Sequence, residues 1–108
     1  MNKFDLFCLI FLSLDAQWDK NQDEILGDYL SSANPFLFEG IGSADPDCFD
    51  TFCKIIKENH IEAADSYNIA KKYIEQLNIP KITEAFMQTD KDKWNVSVNK
   101  YLSSPHKC

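Results

Sequence analysis

An all-α fold, a compact single-domain bundle of five or six short helices, is what this chain predicts, and three observations predict it. Apolar residues recur at helical rather than alternating spacing in one segment after another. Most of these segments open on a side chain able to cap a helix, or carry a proline in the first turn. No Asn-Gly type of dipeptide, the strongest short-range sign of a hairpin, occurs anywhere. The 108 residues suit one domain with a single core, residues 103–108 forming a short tail.

The first element is the apolar run in "MNKFDLFCLIFLSLDAQ". A helix apolar on all sides belongs at the centre of a bundle. The run has the outline of a secretory leader, but Asp5 stands where a leader is basic. Leu14 also fills a position where cleavage needs a small residue. The run is too short to span a bilayer. A buried first helix of a cytoplasmic protein is the expectation.

Asn21-Gln22-Asp23-Glu24 reads as a capping box, with Asn21 as cap and Glu24 reaching back. Ile25, Leu26, Tyr29 and Leu30 then share a face, and Pro35 forces the helix to stop near Asn34. Asp45-Pro46-Asp47 opens the next helix, with Phe49, Phe52, Cys53 and Ile56 as its stripe. Asp65 or Ser66 starts a helix carrying Ile69, Ala70, Tyr73, Ile74 and Leu77. Pro80 starts a short one with Ile82, Ala85 and Phe86. Thr89 or Asp90 starts the last, where Trp94, Val98, Tyr101 and Leu102 form the stripe and Ser103-Ser104-Pro105 the stop.

Between the second and third helices lies "NPFLFEGIGSADPD", a connection with the breakers of a loop that nevertheless carries Phe36, Leu37, Phe38 and Ile41. A long ordered loop needs apolar anchors, and burial of Phe36 and Phe38 would supply them. Its acids then project from a fixed shape.

Charge is unevenly spread. The net charge is −6, yet residues 1–54 hold ten carboxylates against three lysines, while the second half is close to neutral. All eleven basic residues are lysines, and an acidic chain without arginine repels nucleic acid. What the acidic half attracts is a cation or a basic protein surface.

Candidate chemistry is sparse. Cys48 and Cys53 lie about 140° apart around a helix and cannot readily bridge. With His60 they share no face, so no zinc site is expected, and Cys8 reads as a small hydrophobe. The Cys8, Cys48, Cys53 and Cys108 thiols are expected to be reduced. His60 reads as a helix-end residue that complements the dipole, and His106 falls in the tail. "GIGSAD" lacks the lysine of a phosphate loop, and the scattered acids lack the glycine and glutamate positions of a calcium loop. No catalytic residue, metal or cofactor is expected.

The surface that stands out is acidic: Asp23, Asp28, Glu39, Asp45, Asp47 and Asp50, with Phe36 and Phe38 as aromatic anchors. Carboxylates steer the encounter with a basic protein, and a few aromatics carry affinity. A small acidic domain of this kind, with "DYLSSANPFLFEGIGSADP" and the helical "AKKYIEQL", resembles the bacterial immunity proteins of contact-dependent inhibition and related toxin systems. The resemblance implies a non-enzymatic inhibitor that binds a cognate toxin domain, a basic nuclease in many such systems, and occludes its cleft. An adaptor or regulatory module for an endogenous protein shares these features. A homo-oligomeric structural protein, with Phe36, Leu37 and Phe38 at a weak dimer contact, is a further alternative.

Overall fold

A computed structural model describes residues 1–18, 20, 22–35 and 45–103. Among them are six α-helices and no strand: α1 (Lys3–Trp18), α2 (Glu24–Ala33), α3 (Pro46–Ile55), α4 (Ser66–Leu77), α5 (Pro80–Met87) and α6 (Lys91–Leu102), with a 3-10 turn at Ala63–Asp65. The all-α bundle expected from the periodicity is what the chain forms.

Helix α1 is the hub because its apolar residues circle the whole axis. Phe4, Leu6, Phe7, Leu9, Ile10, Phe11 and Leu14 are all buried, and α2 to α6 all pack against it. Its start is fixed by a reciprocal cap. Asn2 Oδ1 accepts the Asp5 N–H at 2.8 Å, and Asp5 Oδ2 accepts the Asn2 N–H at 3.0 Å. Asp5 is itself buried, and the Tyr101 hydroxyl donates to its Oδ1 at 3.1 Å, tying the start of α1 to the end of α6.

The breaks between helices follow local chemistry. Helix α2 ends at Ala33, with Asn34 extended before Pro35. Asn78 takes the left-handed conformation (φ 54°, ψ 42°) that closes α4, two residues before Pro80 opens α5. Asp90 accepts the Lys93 N–H at 2.8 Å and caps α6.

Two aromatic groups fill the core around α1. Phe49 and Phe52 of α3 meet the Phe7 ring edge-on with centroids 5.2 Å away, and Phe52 meets Tyr73 at 4.8 Å. On the other side Tyr67, Phe86 and Trp94 cluster, with the Trp94 indole N–H donating to Ser66 Oγ at 2.8 Å.

Three details differ from the sequence expectation. Asp23, not Asn21, caps α2, accepting from the Ile25 and Leu26 N–H groups at 2.9 and 3.2 Å; Asn21 lies outside the described residues. Ile25 and Leu102 are 49% and 47% exposed, because each sits at the margin of its helix's apolar stripe. His60 is not at a helix end: α3 stops at Ile55, and His60 belongs to the following connection. That connection is held by Ile61, which is buried and exchanges two 2.8 Å hydrogen bonds with Met1. No helix among the described residues is long and apolar enough to cross a membrane.

Candidate functional site: an acidic edge and groove

The acids of α3 are positioned by how that helix begins. Asp45 is extended, its carboxylate accepts the Asp47 N–H at 3.1 Å, and Pro46 occupies the first turn. The Asp45 backbone N–H donates to the Ser32 carbonyl at 2.7 Å, which ties the start of α3 to the last turn of α2. Asp28 lies one turn before Ser32 on the same helix. Asp47 and Asp50, three residues apart, share the outer face of α3. Asp28, Asp45, Asp47 and Asp50 are all exposed. Among the described residues Asp28, Asp47 and Asp50 form no ion pair, although Lys54 follows Asp50 by one turn.

Asp23 departs from this group. It sits at the opposite end of α2, half-buried, with its carboxylate engaged by two backbone N–H groups. Its part is to cap the helix. Phe36, Phe38 and Glu39, with most of the "NPFLFEGIGSADPD" connection, lie outside the described residues, as do Cys108 and His106.

A second feature was not foreseen from sequence. Helix α2 runs back along α1, and between them lies a groove of about 490 Å³. Asp15 and Trp18 of α1 face Glu24, Gly27 and Asp28 of α2 across it, with Phe11 and Leu30 contributing apolar surface. The Trp18 indole is lodged against the α2 backbone: a β-carbon added at Gly27 would come within 2.8 Å of it. Gly27 is therefore what lets the half-buried ring lie this close. Asp15, Glu24 and Asp28 are exposed and make no ion pair with any of the described residues. Asp28 thus belongs both to the groove and to the edge shared with α3. The sequence signals available were Gly27 in a helix interior, where it costs about 1 kcal/mol relative to alanine, and the Asp15–Trp18 spacing.

The neighbouring thiols are held protonated. Burial, then Asp45 and Asp47, pushes the Cys48 thiol up. Burial also raises that of Cys53, opposed by Lys3 and reinforced by Asp50. A protonated thiol is a poor nucleophile. His60 bonds to Glu62 at 3.1 Å with both side chains exposed, beside a shallow hollow that includes Glu58, Asp65 and Lys72. Among the described residues no group of three or more His, Cys, Asp or Glu side chains is arranged to hold a metal ion. What the acidic edge and groove offer chemically is fixed negative charge beside an immobilised aromatic ring.

Comparison of the chain with protein-family models, with curated proteins and with solved structures finds no match.

Proposed function

We propose that this protein is a non-catalytic inhibitor that binds a basic protein domain through its acidic edge, as its resemblance to bacterial immunity proteins implies. The observation that carries the reading is that Asp28, Asp47 and Asp50 are exposed on adjoining helices with no cation among the described residues paired to them. Like charges brought together on a surface repel one another and cost stability. A basic partner relieves that repulsion, and the carboxylates accelerate its approach. Asp45, secured to Ser32, holds the two helices of this edge in register.

The test is affinity capture of the tagged protein from the organism that makes it, at low and high salt, with bound proteins identified by mass spectrometry. A basic protein recovered near one-to-one at low salt and lost at high salt is the expected result. Recovery of an acidic partner, or capture indifferent to salt, contradicts the reading. Once the partner is in hand, co-expression should abolish its activity stoichiometrically.

A further inference from the structure

The edge accounts for Asp28, Asp47 and Asp50, but not for the groove behind Asp28. A cleft of about 490 Å³ falls within the range of ligand-sized sites, about 300–1,000 Å³. Its apolar contribution comes from Phe11 and Leu30, and the Trp18 ring is held in place by the missing β-carbon of Gly27. Three carboxylates line this groove, no lysine is among the described residues that line it, and α1 carries no basic residue in its last turn. The negative end of the α1 dipole, at Trp18, therefore has no compensating side chain in its own last turn.

We propose that this groove seats an arginine side chain of the protein partner. Its guanidinium lies against the Trp18 indole within reach of Asp15, Glu24 and Asp28, and its methylene stem lies along the groove. The charge in the groove calls for a cation, and the aromatic ring makes that cation planar. A guanidinium stacks on indole and sheds its weak hydration more readily than an ammonium does. It also presents a fork of donors that carboxylates on two helices can share. Burying the stem while the charged head stays at the carboxylates is how a long basic side chain meets a mixed surface. This rests on the proposed function, which it deepens by naming the anchor that the partner inserts.

The probe is N-acetyl-arginine amide, titrated into the ¹⁵N-labelled full chain. The two tryptophans give two indole N–H signals, and fully buried Trp94 serves as the internal control. A saturable shift of the Trp18 indole and the Gly27 amide is expected, with Trp94 unmoved. N-acetyl-lysine amide should bind several-fold more weakly, and the uncharged citrulline amide should give no saturable shift. Asp15→Asn with Asp28→Asn should weaken arginine binding about tenfold or more, as loss of charge-assisted bonds requires, while the Trp94 signal reports an intact fold. Absence of a saturable Trp18 shift, or equal binding of the lysine amide, overturns the proposal. If the probe fails while a basic partner is still captured in a charge-dependent way, the groove assignment falls and the proposed function stands. If the probe binds but no basic partner exists, the arginine seat stands and the proposed function falls.

Discussion

The hydroxyls of Tyr29 and Tyr73 lie 3.0 Å apart and join α2 to α4. Burial, then the neighbouring Tyr73, pushes the Tyr29 hydroxyl well above the ordinary phenol range. Burial raises Tyr73 to about 12, against the lowering effect of its bond with Tyr29. Both hydroxyls therefore keep protons that the unfolded chain would release near pH 10.0. Unfolding in alkali releases protons, so the stability these groups contribute is intact below about pH 10 and is lost as pH climbs toward 12. Urea denaturation across that range, followed beside tyrosinate absorbance, should show the loss. Tyr29→Phe should cost about 1 kcal/mol at neutral pH and flatten the alkaline decline.

Gly27 and Trp18 should behave as one unit. Alanine at position 27 favours the helix by about 1 kcal/mol, but its β-carbon meets the indole at 2.8 Å. Gly27→Ala in the natural chain should therefore displace the ring, moving its indole N–H signal, with little or no gain in stability. In a Trp18→Ala background the same change should stabilise by about 1 kcal/mol. A double-mutant cycle in urea measures the difference, and identical effects in the two backgrounds would contradict the contact.

Two of the acids first marked as partner-binding have structural work that can be separated from charge. Asp23→Ala and Asp45→Ala should each cost about 1 kcal/mol through loss of a helix cap. Asp23→Asn and Asp45→Asn should keep most of that stability, because the amide oxygen still accepts from the backbone N–H groups. Partner binding should fall for Asp45→Asn but hold for Asp23→Asn, which lies away from the edge. Thermal melts read beside binding isotherms make the separation.

Ser66 Oγ accepts from the buried Trp94 indole and donates to the Ala63 carbonyl at 2.7 Å. Ser66→Ala strands a buried indole N–H, at a cost of about 1–3 kcal/mol. Ser66→Thr, which keeps the hydroxyl, should cost less if the added methyl fits. Equal losses for the two variants would mean that packing, not the hydrogen bond, is what matters at this position.

Much of the fold was legible because it is written in local signals. Pro35, Asp45-Pro46, Pro80 and Asp90 each stop or start a helix through steric or capping effects confined to a few residues. The run around Phe7 and Ile10 announced the central helix by being apolar on every side. Other features need tertiary pairing and could not be read so. Asn2 and Asp5 form their cap inside what looked like a simple apolar run, and Asp5 is buried where Tyr101 arrives from the far end of the chain. The groove exists only because α2 returns along α1, bringing Asp15 opposite Asp28 and Trp18 onto Gly27. Asn21 and Asp23 were equally able to cap α2 by residue type, and only the path of the backbone chose Asp23. Of the acids that charge counting singled out, Asp28, Asp45, Asp47 and Asp50 are exposed, while Asp23 is half-buried as a cap.

The proposed function requires that the exposed carboxylates of α2 and α3 steer a basic partner. The most direct measurement is the association rate constant with the captured partner, across a range of salt, for the natural chain and for the Asp28→Asn, Asp47→Asn, Asp50→Asn variant. Association of the natural chain should be fast and fall steeply as salt rises, and that of the variant should be slower with a much shallower salt dependence. Equal rates and equal salt dependence for the two would show that this edge does not meet the partner.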